Sequence, residues 1–171
     1  MADSQTFVAS RFTTRYNLEQ DRIQLALALV DEKPIGLWLT QRLLTRLIPT
    51  LVNLLDSEKI RLSQNALEVH NIAQQHAQNV VETQSDAQGE VVASDEGLVE
   101  AIDLSRSARS AVLTFRCLGK QERYSLTLGA NQLRSWLSIL CSTFHKAEWD
   151  TTAFPTWVRS NTAMQEAAIL H

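Results

Sequence analysis

Two stretches of the chain alternate between apolar and polar residues and then pass directly into a helical pattern. Within residues 23–39, leucine or isoleucine occupies most alternate positions on both sides of a DEKP turn, a pattern typical of a β-hairpin with one buried face. From residue 41 onward, leucines follow the 3-4 spacing of an amphipathic helix. The sequence predicts a hairpin and then a helix, with Thr40 as the N-cap and a kink or break at Pro49.

A second stretch repeats this order about ninety residues later. Residues 111–128 predict another hairpin around a turn at Gly119, and a helix capped by Asn131 follows. The two units, 21–55 and 111–144, align at offsets of 88, 89 and 90, with one-residue slips in the hairpin turn and at the helix cap. Either the chain contains two repeats related by a pseudo-twofold axis, or two ordinary hairpin-and-helix segments resemble each other by chance.

The rest of the chain supplies connecting segments of different character. Residues 7–17 alternate loosely and predict a further strand, while 98–104 form a short strand or turn. Residues 57–83 are polar and Gln-rich, with a weak heptad seam, and predict a long helical excursion. An acidic, turn-rich connection follows over 84–97, and an aromatic tail ends the sequence over 147–171.

Together these elements predict one α+β domain over residues 1–171. We expect a mainly antiparallel sheet with helices on one face, plus the helical excursion between the two units. A length of 171 residues suits one domain of ordinary size, and a hydrophobic fraction of 44% with 20% charged residues is typical of a globular protein.

Charge and hydropathy narrow the choice of partners. The formal net charge of −3 gives no global attraction to nucleic acid or to an anionic membrane, although residues 105–171 carry eight basic side chains against four acidic ones. No apolar run approaches the ~20 residues of a membrane span, and the N-terminus does not resemble a signal peptide. We therefore expect a cytoplasmic protein with no membrane partner, whose two cysteines are buried free thiols.

The sequence offers little catalytic chemistry. Its five glycines lack the spacing of a phosphate-binding loop, so no nucleotide cofactor is indicated. Cys141 and His145 lie four residues apart and could share a helix face, but two ligands do not make a structural zinc site. The same pair lacks a visible group to orient the imidazole, so we expect no enzyme activity, no metal and no cofactor.

One candidate binding surface is the face of the sheet opposite the buried leucines. Arginines beside an exposed aromatic could bind single-stranded nucleic acid, with the cations along the phosphates and the ring stacked on a base. Ordinary solvation of an antiparallel sheet explains the same pattern. The candidate residues are Arg11, Arg15, Arg22, Trp38, Arg116 and Arg123.

The other candidate is a protein-interaction surface. Its residues are those of the heptad seam and the bulky aromatics of the tail, which either cover the core or anchor a partner. They are Leu62, Val69, His76 and Val80 in the seam, and Trp149, Phe154 and Trp157 in the tail. The sequence favours a non-catalytic binding or assembly protein acting through protein contacts, including contact with a second copy of itself. Single-stranded nucleic-acid binding is the alternative.

Overall fold

The computed structural model describes residues 4–57, 91–107 and 109–160. The chain divides into two compact units. One contains Met1–Leu44 and Glu90–Leu128, and the other contains Thr45–Gly89 and Gly129–His171. The predicted helical excursion at 57–83 lies almost entirely outside the described residues.

The first unit is built from six strands. They are β1 (Thr6–Asn17), β2 (Arg22–Leu29), β3 (Ile35–Leu39), β4 (Asp95–Arg106), β5 (Ser110–Cys117) and β6 (Arg123–Gly129). The strands follow one another in spatial order from β1 to β6, and β6 pairs with β1 to close a barrel. The strand starting at Asp95 is longer than the short strand or turn expected at 98–104.

Most neighbouring strands run antiparallel, but two seams are parallel. The pairs β1–β2, β2–β3 and β4–β5 are antiparallel, whereas β3–β4 and β1–β6 are parallel. These directions require β5 and β6 to run in opposite senses. The sequence prediction of an α+β protein with a mainly antiparallel sheet is confirmed. The two parallel seams were not anticipated, since alternation within a strand carries no information about its neighbour's direction.

The inward face of the barrel is the leucine-rich face that the alternation predicts. Leu25 of β2 pairs with Leu37 of β3, and both are fully buried. On the other half of the barrel, Leu113 and Phe115 of β5 are also fully buried. Removing such side chains from water is the main favourable term in folding, about 1.5–3 kcal/mol for each large aliphatic or aromatic group.

Two long helices have clear start points. Helix α1 spans Gln41–Ser57, and the Thr40 hydroxyl accepts a hydrogen bond from the Leu43 amide at 3.3 Å, as expected for an N-cap. Pro49 lies within α1 without ending it. Helix α2 spans Ala130–Lys146 and is capped at Gly129, so the prediction of Asn131 as its cap is wrong. A further helical segment begins at residue 156 and continues to residue 160, where the described part of the chain ends.

The two strand triplets, β1–β2–β3 and β4–β5–β6, share their irregularities. Each has a register shift in its first strand, between Ala9 and Arg11 and between Val99 and Ala101. Each hairpin turn at the same end has a residue with positive φ, Asp31 at 60° and Gly119 at 73°. An equivalent backbone hydrogen bond precedes each of these turns: Val30 N to Val8 O at 2.9 Å, and Leu118 N to Leu98 O at 2.8 Å.

The buried positions of the two helices correspond as well. Every main buried residue of α1 has a counterpart 89 positions later in α2, so the slip placed at the helix cap is not needed. The pairs are Leu44 and Leu133, Leu47 and Trp136, Ile48 and Leu137, Leu51 and Leu140, and Leu55 and Phe144. Internal duplication stays a prediction, and these shared features support it.

Candidate functional site

Four residues of the predicted sheet-face site lie on one face of the first three strands. Arg15 of β1 pairs with Gln24 of β2, which pairs with Trp38 of β3, so these three side chains form a row. Arg11 and Arg22 lie on the same face, because each is an even number of residues from a member of that row. Arg11 and Arg15 are exposed, and Arg22 is half-buried.

The aromatic member of that face is not open to a stacking base. Trp38 is only 8% exposed, and its indole N–H donates to the Glu96 carboxylate at 3.2 Å. The same carboxylate accepts a hydrogen bond from the Gln24 amide at 3.4 Å. A tryptophan fixed in this way contributes to packing, whereas base stacking requires an accessible ring face.

Residues 91–94 cross this face and cover part of it. The Val91 amide donates to the Thr13 hydroxyl at 3.2 Å, and the Ser94 amide donates to the Pro34 carbonyl at 3.1 Å. Gly36 permits the close approach, because a Cβ there would lie 3.2 Å from the Ala93 Cβ and 2.6 Å from the Gln24 amide nitrogen. The predicted open sheet face is therefore partly closed by the chain itself.

The two remaining arginines of that prediction lie elsewhere on the barrel. Arg116 and Arg123 line another cavity, of about 330 Å³, together with Glu100 and Glu122. Arg116 Nε lies 3.1 Å from Asp103 Oδ2 in an exposed ion pair. Because acidic and basic groups alternate there, this cavity does not present a uniformly basic surface.

The tail aromatics of the predicted interaction site are buried within the second unit. Trp149, Phe154 and Trp157 are 8%, 1% and 5% exposed. Phe144 meets Trp149 and Phe154 edge to face, with ring centroids 5.1 Å apart in both pairs. The Arg134 guanidinium carbon lies 5.1 Å from the centroid of the Trp157 ring. Of the two roles left open by the sequence, these aromatics therefore cover a core. Leu62, Val69, His76 and Val80 lie outside the described residues.

A large concave feature lies at one end of the barrel, and we call it the barrel mouth. It is a cavity of about 930 Å³ at the end where the hairpin turns 30–34 and 118–122 meet the strands. Its apolar residues are half-buried or buried, and its charged residues are mostly exposed. The apolar set is Phe7, Leu29, Ile35 and Tyr124, and the charged set is Glu32, Lys33, Asp95, Lys120 and Glu122.

Packing at the base of the mouth depends on a stacked aromatic pair and on a glycine. The rings of Phe7 and Tyr124 stack across the parallel β1–β6 seam, with centroids 6.0 Å apart. On β4, a Cβ at Gly97 would lie 2.9 Å from the Cys117 sulfur and 3.6 Å from the Lys120 Cε. Glycine at position 97 thus lets Cys117 and the Lys120 stem pack against the strand backbone.

Two charged residues of the mouth, Lys120 and Asp95, form an ion pair. Lys120 Nζ donates to Asp95 Oδ2 at 2.8 Å. This hydrogen bond lowers the pKa of Asp95, helped by a second bond from the Glu96 amide, and it raises the pKa of Lys120. Asp95 is well exposed, so the pair contributes little to stability.

The Cys117 thiol, which packs beside Gly97, is not activated. Burial raises the pKa of Cys117 to about 11, which outweighs the lowering effect of nearby Lys120. Burial also raises the pKa of Tyr124. Nucleophilic cysteines need the opposite shift, toward a stable thiolate.

Both thiols should react slowly with the disulfide reagent DTNB in the folded chain. At pH 8 a pKa near 11 instead of 9.0 reduces the thiolate fraction of Cys117 about a hundredfold. Burial of Cys117 and Cys141 blocks access in addition. Rapid stoichiometric reaction of the Cys141→Ala variant, in which Cys117 is the only thiol, would contradict this structure. The same variant unfolded in guanidinium provides the fast reference rate.

The two members of the candidate cysteine and histidine pair differ in their exposure to solvent. Cys141 is fully buried on α2, whereas His145 is exposed. Among the described residues, no three histidine, cysteine or carboxylate side chains group closely enough to hold a metal ion. Within the same residues, no helix is both long enough and apolar enough to cross a membrane.

Comparison with protein-family models, with curated proteins and with solved structures found no match. The barrel mouth is therefore interpreted from its own residues. Sequence reasoning missed it because its charged members lie in segments identified only as turns. A signal was present in Val30 and Leu118, two aliphatic residues that lie beyond the last inward position of their strands and are 53% and 63% exposed.

Proposed function

We propose that this chain is a non-catalytic binding protein that acts through protein contacts at the barrel mouth. The observation that carries the proposal is the composition of the mouth, where buried and half-buried apolar side chains lie beside charged side chains of both signs, most of them exposed. Protein interfaces commonly have an apolar core and a polar rim.

The apolar surface extends beyond the cavity. Val30 and Leu118 are exposed immediately beside the lining residues Leu29 and Gly119. A small ligand would be contained by a cavity of this size. Exposed aliphatic side chains next to the cavity instead favour a macromolecular partner that covers both.

The chemistry of the mouth supports binding over catalysis. The Cys117 thiol, which is not among the lining residues, is buried and protonated at neutral pH, and the lining residue Lys120 is paired with Asp95. The described lining residues include no histidine that could act as a general base near pH 7. The arginine face remains the source of the nucleic-acid alternative, but burial of Trp38 removes the stacking contact on which that idea depended.

Site-specific photocrosslinking tests the proposal. A benzophenone amino acid at Leu118 should give adducts of defined mass in cells that express the chain. The same probe at Leu18, which is 81% exposed in the turn at the other end of the barrel, should give few or none. Equal adducts at both positions, or none at Leu118, would contradict partner binding at the mouth. Adduct mass separates a second copy of the 19.2 kDa chain from a different protein.

A further inference from the structure

We infer that a second surface, the arginine face, binds an extended acidic segment of another protein. This face is the outer side of β1, β2 and β3, on which Arg11, Arg15 and Arg22 lie. None of these arginines lines the barrel mouth. The inference therefore goes beyond the proposed function and does not rest on it.

The two strand triplets differ in their charge. The strands β1, β2 and β3 contain three arginines and no acidic residue. The strands β4, β5 and β6 also contain three arginines, but with four acidic residues, and Arg116 there lies beside Asp103. A surface whose strands carry charge of one sign attracts a partner of the opposite sign.

Acidic side chains of the described residues border the arginine face without interrupting it. Glu96 of the neighbouring β4 accepts the two hydrogen bonds described above. In the turn between β1 and β2, Asp21 accepts a hydrogen bond from the Tyr16 hydroxyl at 2.8 Å, and Glu19 lies in the same turn. The line of arginines along the strands is therefore continuous.

The spacing of this line matches that of an extended peptide. Arg11 and Arg15 lie four residues apart on β1, about 13 Å along the strand. Arg22 of β2 pairs with Asn17, so it lies diagonally across from Arg15, about 7–8 Å away. Side chains on one face of an extended peptide recur about every 6.6 Å. Carboxylates at its first, fifth and seventh residues therefore meet the three guanidinium groups, which bind carboxylates through paired N–H donors.

The strap, residues 91–94, shows that an extended segment fits on this face. The Val91 amide donates to the hydroxyl of Thr13, the outward residue between the two arginines of β1, and Val91 is only 6% exposed. The next side chain, Val92, is 76% exposed. An aliphatic residue at the third position of the acidic segment covers Val92 and removes both side chains from water.

This apolar contact favours a protein segment over single-stranded nucleic acid. Within the described strands β1–β3, the aromatic residue that faces outward is Trp38, and at 8% exposure it offers no ring face to a base. Clustered arginines without an accessible ring instead suit the recognition of acidic peptide motifs.

A titration followed by NMR tests the inference on the full ¹⁵N-labelled chain. The probe is the capped heptapeptide Glu-Thr-Val-Thr-Glu-Thr-Glu, and the amide shifts should cluster in β1, β2 and the strap. Arg11→Ala/Arg15→Ala should raise the dissociation constant about tenfold, because each exposed arginine and carboxylate pair contributes about threefold. Arg123→Ala removes an exposed arginine of β6 and should leave the constant unchanged. The spectra themselves report whether each variant is folded.

Two further titrations isolate the role of charge. The neutral peptide Gln-Thr-Val-Thr-Gln-Thr-Gln should bind about thirtyfold more weakly, because it loses all three pairs. Raising the salt from about 0.05 M to about 0.5 M should weaken binding of the acidic peptide, since the exposed charges are screened. Equal affinity for the two peptides, or no shifts at all, would overturn the inference.

Other occupants of the arginine face give different results. An oligothymidylate that binds more tightly than the acidic peptide, and that loses affinity in Arg11→Ala/Arg15→Ala, would assign the face to nucleic acid. Shifts in β1, β2 and the strap that follow protein concentration alone would assign it to a second copy of the chain. Either result would overturn the acidic protein segment as the partner.

Discussion

Phe144→Ala should lower the free energy of unfolding by about 3–5 kcal/mol, the largest effect expected from one substitution here. Phe144 is fully buried on α2, and its ring meets the rings of Trp149 and Phe154 edge to face. Deleting the ring removes its own transfer free energy and leaves a cavity between two large side chains that cannot easily collapse into it. Urea unfolding followed by circular dichroism measures the loss.

Tryptophan fluorescence provides a second probe of the same variant. Trp136, Trp149 and Trp157 belong to the second unit, whereas Trp38 belongs to the barrel. If the two units unfold separately, fluorescence should report mainly the damaged unit and change at lower urea than circular dichroism. Leu18→Ala is the control, because a side chain that is 81% exposed should change stability by less than about 0.5 kcal/mol. A loss below about 1 kcal/mol for Phe144→Ala would contradict the aromatic packing described here.

The second large effect is expected at Gly97. Gly97→Ala should destabilise the barrel by about 1–3 kcal/mol, because the new methyl group would lie 2.9 Å from the Cys117 sulfur and 3.2 Å from its Cβ. The backbone at Gly97 does not have positive φ, so the cost comes from crowding rather than from backbone conformation.

A double-mutant cycle isolates this contact. Cys117→Ala removes the sulfur but keeps the Cβ, so it should relieve part of the crowding. The loss in Gly97→Ala/Cys117→Ala should therefore be smaller than the sum of the two single losses, by about 1 kcal/mol. Gly119→Ala is a useful comparison, since no atom lies within 4 Å of a Cβ there and its cost should come from its positive φ alone. Strictly additive losses at positions 97 and 117 would exclude the proposed clash.

Alternation along the chain was enough to predict several of the strands and their buried faces, but not that the strands close into a barrel. Residues 23–39 form the antiparallel pair β2–β3, and the leucines assigned to the core are buried. The pattern is informative because one face of each strand must be removed from water, and a period of two fixes which residues those are. The Thr40 cap was predictable for a similarly local reason, since its hydroxyl bonds an amide three residues away.

Features that depend on distant parts of the chain were not predictable in the same way. Trp38 alternates outward as expected, but it is only 8% exposed and its indole donates a hydrogen bond to Glu96 of another strand. The barrel mouth likewise combines two turns separated by more than eighty residues. Periodicity within a strand does not show which distant segments of the chain come together. The sequence therefore identified the arginines of a strand face and missed the mixed charges of the mouth.

The parallel seam between β1 and β6 also sets a constraint on how the barrel folds. Thr6 pairs with Arg123, so closure joins segments more than a hundred residues apart. The contacts of this seam must offset the conformational entropy that the chain loses when it closes so long a loop. The hairpins β2–β3 and β4–β5 need only local search and can form first. The stacked rings of Phe7 and Tyr124 pack across this long-range seam. The barrel mouth, which both rings line, therefore exists only once the two ends of the barrel sequence have come together.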